Sequence, residues 1–182
     1  MRSQSDLVCK SSSWHGRQAF VLENDLIRVI TLTGGGHIAE FRFREGSGLS
    51  TMNPLRIPPW KTIEPYRYQE KTHAAAYGTP VVGRMISGIV SHNLCLDYFG
   101  GPSEEEARQG LSIHGEAPSL RWRKVRVRVS KQEVALELAV RLPVARLRFR
   151  RLLEGANFAW FTVQELVGAV VRGRLGSPVY HC

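Results

Sequence analysis

Three observations in the sequence predict an all-β fold. Residues 123–150 alternate charged and apolar side chains through three successive stretches, the period of a half-buried strand. Residues 18–44 carry a second set of strand patterns, punctuated by turn formers. The chain of 182 residues also holds 17 glycines and nine prolines, a supply of turn residues that suits a β-rich protein.

Taken in order, residues 1–17 read as an irregular leader, with Ser11, Ser12 and Ser13 loop-like. Strands follow at 18–22 and 26–32, joined by Asn24-Asp25, two residues that favour tight turns. Gly34-Gly35-Gly36 interrupts the pattern, and alternation resumes over 37–44. The glycine run is not a phosphate-binding loop, because no Lys-Ser/Thr ending and no helix follow it. Residues 51–60 hold three prolines and read as a long structured loop. A short helical turn is expected within 66–78. Ser103 to Arg108 reads as a short helix: Ser103 is its N-cap, Glu106 completes a capping box, and Gly110 ends it. Residues 123–129, 134–140 and 145–150 then form an antiparallel meander. From Glu154 onward no period is evident.

A hydrophobic content of 43% suits a globular core. No window is apolar and uncharged enough to span a membrane. Met1 to Lys10 is polar and lacks the apolar centre of a signal peptide. Cys9, Cys95 and Cys182 are widely spaced and make neither a metal-type pair nor a disulfide framework. Cys95, between two leucines, reads as a small buried hydrophobe. A cytoplasmic location is the expectation, with no metal and no cofactor.

The net charge is +9, and the excess is local: eleven basic residues against two acids lie between Arg121 and Arg151. A basic β-sheet module binding nucleic acid is therefore the rival functional reading. Against it, Phe149 is the only aromatic between Arg123 and Arg150, so bases would find no stacking platform.

The stretch Leu111 to Trp122 concentrates the remaining chemistry. Leu111 and Ile113 read as a strand end, followed by His114-Gly115, Glu116 and Pro118. A glycine beside an imidazole leaves room for a ligand to approach. Glu116, two residues on along an extended chain, would share the face of His114 and hydrogen-bond its ring.

The order of several motifs resembles the galactose mutarotase-like family, the aldose 1-epimerases. They are Leu22-x-Asn24-x-x-Ile27-x-Val29, Gly34-Gly35-Gly36-His37-Ile38, Asn53-Pro54-Leu55, Pro58-Pro59-Trp60 and His114-Gly115. The resemblance covers roughly residues 18–152. It implies a β-supersandwich with a sugar cleft, in which a carboxylate deprotonates the anomeric hydroxyl and a histidine protonates the ring oxygen. On that template His114 is the catalytic candidate. Asn53, Trp60, Glu116 and either Arg56 or Arg67 would bind a sugar or sugar phosphate. The family's glutamate base has no counterpart after Arg151, and Glu64, Asp97 and Glu116 are the acids near enough to substitute. Residues 153–182 thus read as a divergent or truncated end. Anomer exchange should be slow or absent, and uncovered strand edges would invite self-association.

Overall fold

The computed structural model describes residues 7–45, 51–90, 92–96, 99–156, 161–169 and 180–181. Two four-stranded antiparallel sheets make up most of it. Sheet 1 runs in sequence order through β1 (Val8–Trp14), β2 (Arg17–Glu23), β3 (Ile27–Leu32) and β4 (Ile38–Phe43). Between the sheets come α1 (Glu70–Tyr77), α2 (Pro80–Ile86), the short strand β5 (Leu94–Cys95) and α3 (Glu104–Arg108). Sheet 2 is the expected meander with one strand more: β6 (Arg123–Val129), β7 (Glu133–Leu142), β8 (Leu147–Ala156) and β9 (Phe161–Ala169). A last pair of residues, β10 (Tyr180–His181), pairs with β5.

The period-two pattern decides how the sheets stack. Phe20, Leu22, Ile27 and Val29 point from sheet 1 toward sheet 2. There they meet Val134, Leu136, Leu138, Val140, Phe149 and Leu153 in one core with Trp122. The opposite face of sheet 1 presents Ala19, Val21, Ile30 and Leu32, and these form a second cluster with Trp14, Ala39 and Val90. The central strands β2 and β3 are therefore buried on both sides, which explains their near-continuous apolar run. The outer face of sheet 2 remains open, and its charged residues line it.

Several expectations hold in detail. Asn24 turns the chain between β2 and β3: its Oδ1 accepts from the N–H groups of Leu26 and Ile27 at 2.9 and 2.7 Å. Its Nδ2 donates to the Ala156 carbonyl at 2.8 Å and so ties sheet 1 to sheet 2. The capping box of α3 is present, with Ser103 and Glu106 bonding reciprocally. Glu106 is consequently held below the usual carboxylate range by its bonds to Ser103.

Three expectations need correction. The region read as an irregular leader contains β1, which pairs with β2 along all seven residues. The serines gave no apolar signal because β1 is an edge strand with Lys10 to Ser13 exposed. The segment read as a divergent tail contributes β9, paired with β8 from Gly155 to Leu147. Cys95 is disulfide-bonded rather than a free buried thiol.

A single glycine shows how tightly the layers are drawn. Gly36 has φ +65°, and a Cβ there would sit 2.4 Å from the Trp122 ring. Gly16, in the two-residue turn between β1 and β2, has φ +82° with open space around it. Gly16→Ala should cost only the left-handed backbone term, about 1–2 kcal/mol. Gly36→Ala adds an overlap inside a packed core, about 1–3 kcal/mol more. Urea denaturation of both variants checks this ordering; equal losses would contradict the packing described.

Candidate functional site

Residues 111–122 do not form the expected strand end. They form a tethered loop whose amides reach two helices and the turn at Gly100. The Leu111 N–H donates to Glu106 of α3, that of Ile113 to Val81 of α2 at 2.8 Å, and that of His114 to Gly100 at 2.9 Å. The Gly115 N–H closes a turn onto Ser112 at 3.2 Å. The Ser112 hydroxyl braces the same turn by donating to the Gly115 carbonyl at 2.9 Å.

Within this turn His114 has φ +61°. A non-glycine side chain in that region costs about 1–2 kcal/mol. Among the described residues two other non-glycines share it, His15 and Arg146, and both lie in hairpin loops where the twist asks for it. His114 lies in no hairpin. Backbone held this way by surrounding bonds concentrates at functional sites. The imidazole is half-buried, with its edge against Phe99 at a centroid distance of 5.0 Å. Its Nδ1 lies 3.4 Å from Cys95 Sγ. Among the described residues its Nε2 takes no hydrogen-bond partner.

Beside this turn is a cavity of about 310 Å³. Its polar lining comes from Tyr66, Tyr68, Arg84, Gln109, Ser112, Glu116 and Ser119; His114 is not among the residues of its wall. The Ser112 and Ser119 hydroxyls are 3.0 Å apart. Arg84 holds the loop by donating to the Gly110 carbonyl at 2.8 Å. Among the described residues the buried Tyr66 hydroxyl has no hydrogen-bond partner, an arrangement that a ligand hydroxyl would satisfy.

Glu116 lines this cavity but does not play the part expected of it. His114 and Gly115 both have positive φ, and Glu116 is helical, so the chain is not extended and the side chains diverge. The buried Glu116 carboxylate accepts from the N–H groups of Val144, at 3.1 and 3.0 Å, and Ala145, at 2.9 Å. It pins the hairpin loop between β7 and β8. Glu64 is likewise occupied: it accepts from the Gln18 N–H at 2.6 Å and lies 3.9 Å from the buried Arg17 guanidinium. Asp97 lies outside the described residues.

The other sequence candidates are not gathered around the cavity. Asn53 is structural, accepting from the Phe41 and Leu55 amides and donating to the Ala39 carbonyl. Trp60 is 43% exposed and its indole donates to the Ile86 carbonyl at 3.2 Å. Arg56 is exposed. Arg67 is also exposed, its guanidinium 6.0 Å from the Tyr66 ring. Arg84 is a cavity residue that the sequence pattern alone does not single out. Proline in the first turn of α2, at Thr79-Pro80, is the helix-start signal that could have located it.

A second histidine, His37, is fully buried behind the glycine run. Its Nδ1 is 2.8 Å from the His92 carbonyl, and among the described residues its Nε2 has no hydrogen-bond partner. Burial, and next the charge of Arg17, push its pKa down to about 3. The folded protein therefore keeps the ring neutral, while the unfolded chain takes up a proton below about 6.5. Stability from this group is complete above that value and falls by about 1.4 kcal/mol per unit as pH drops toward 3. Denaturation at pH 7, 6, 5 and 4 should show this slope lessened in His37→Asn. Parallel profiles for the two proteins would show that His37 does not titrate as described.

No protein-family model matches the chain, and no curated protein matches it. The crystal structure of HI1317 is similar in fold, with a TM-score of 0.53 at 10% identity. The match covers 85% of this chain and 48% of HI1317, so the chain spans about half the length of that neighbour. Among the described residues no helix is long and apolar enough to cross a membrane, and no cluster of three His, Cys, Asp or Glu could hold a metal ion.

Proposed function

We propose that this chain is a mutarotase-like β-sandwich that binds an aldose or aldose phosphate beside His114. The observation that carries the reading is the His114 turn. A strained backbone holds His114, whose Nε2 takes no partner among the described residues, two positions from Ser112, and the Ser112 hydroxyl lines a cavity shared with Ser119, Tyr66 and the Arg84 guanidinium. Tyr66 and Tyr68 offer ring faces for the apolar side of a sugar, and Arg84, Ser112 and Ser119 offer polar groups for its hydroxyls. The order of motifs shared with the aldose 1-epimerases supports the same ligand class.

In this reading His114 Nε2 contacts the ring oxygen of the sugar. Anomer exchange also requires a base at the anomeric hydroxyl. Glu116 and Glu64 are both engaged by other groups of the protein. A positioned base contributes roughly 10²- to 10⁴-fold, so the chain binds sugar while turning it over slowly. The reading implies neither metal nor cofactor.

Isothermal titration calorimetry with glucose, galactose and their 6-phosphates tests the proposal. At least one should bind, and His114→Ala should weaken it about tenfold, the worth of one good hydrogen bond. Absence of heat with every sugar, or equal affinity in the variant, would remove the basis for this function.

A further inference from the structure

The outer face of sheet 2 carries charge that its own fold leaves uncompensated. At the end near the Ser130 turn the face is balanced: Arg128 lies 3.2 Å from Glu154 and 3.6 Å from Glu133, and Glu137 lies 4.0 Å from Arg126 and 3.0 Å from Arg150. Toward the other end the acids stop. Ala139 pairs across the sheet with Arg123 on one side and Arg150 on the other, and Arg141 pairs with Arg148. Four arginines thus surround one small side chain. Among the described residues no carboxylate lies within ion-pair distance of Arg123, Arg141 or Arg148. Arg121, just before β6, adds to the group, and these five line an open cleft of about 770 Å³; Lys124 borders it from the opposite pleat, its ammonium 5.8 Å from the Phe20 ring.

Like charges placed directly opposite on neighbouring strands destabilise a sheet. The pair Arg141 and Arg148 is such a case, and an anion lying between the two would offset it. Neighbouring strands are about 4.8 Å apart and alternate residues about 6.7 Å apart, so the guanidinia arise within roughly 10 Å of one another. A single phosphate would meet two or three of them, whereas a run of phosphodiesters meets all. Arginine's planar fork suits phosphate oxygens, which it can grip bidentately.

We propose that this cleft is a second binding site, one that holds the phosphate backbone of a nucleic-acid duplex without reading its sequence. Phe149, the one aromatic lining the cleft among the described residues, is buried, which argues against base stacking but does not bear on phosphate contacts. It sets the mode: positioning by charge alone.

Fluorescence anisotropy with a labelled 20-base-pair DNA duplex tests the site, using the intact chain. Two unrelated duplex sequences should bind equally. With about four phosphate contacts, affinity should fall roughly 10²-fold between 50 and 200 mM salt. Arg141→Gln/Arg148→Gln should weaken binding at least tenfold and lower the salt slope by about two. Arg126→Gln/Arg128→Gln, at the compensated end, should change it little. Circular dichroism establishes that both variants fold. No duplex binding at 50 mM salt would overturn the proposal. So would equal losses in the two variants, or binding to vesicles of anionic phospholipid with the duplex left unbound.

Discussion

The backbone of Gly34, Gly35 and Gly36 is the constraint on which the rest of the structure depends. Two buried arginines end on it: Arg17 donates to the Gly34 carbonyl at 2.9 Å, and Arg151 donates to the Gly36 carbonyl. The Gly35 N–H donates to Leu120 at 2.8 Å, and Gly34 makes a bridge with Arg121. Arg17 belongs to sheet 1, Arg151 to sheet 2, and Leu120 to the loop that carries His114. Three parts of the molecule therefore meet on three residues without side chains. Each arginine is itself neutralised, Arg17 by Glu64 and Arg151 by Glu165 at 2.7 Å. Burial draws both below the usual arginine range, Arg17 to about 10. Truncating one partner would strand a buried charge, a far larger cost than the loss of one surface ion pair.

That junction also positions the functional elements. The carbonyl–amide bonds to Leu120 and Trp122 fix the far end of the loop, and bonds to α2, α3 and Gly100 fix its near end. Glu116 then anchors the loop to the β7–β8 hairpin. The hairpin serves two faces at once: its loop amides hold Glu116 beside the cavity, while Arg141 and Arg148 at its strand ends face outward. Basic face and cavity thus share one supporting element.

Much of the architecture was legible because it follows from side-chain period. The alternation over 123–150 specified the meander and which face it buries, and Asn24-Asp25 marked a turn that the structure closes through the Asn24 side chain. What stayed hidden lacked such a signal. β1 is an exposed edge whose serines carry no apolar stripe. The loop at 111–122 takes its shape from bonds to distant residues, so extrapolating an extended chain placed Glu116 on the wrong partner. Arg84 sat in an apolar stretch whose helical character rested on one proline. The basic cleft was visible as composition, but its imbalance emerges only from the register that separates Arg141 and Arg148 from Glu137 and Glu154.

The proposed sugar site places His114, and not the buried His37, against the ligand. Imidazole ¹H–¹⁵N spectra of the histidine-labelled protein, recorded through a titration with galactose or glucose 6-phosphate, test it most directly. The ring signals of His114 should shift with saturable dependence on sugar, and those of His37 should stay fixed. Unmoved His114 signals, or a shift at His37 alone, would contradict the account.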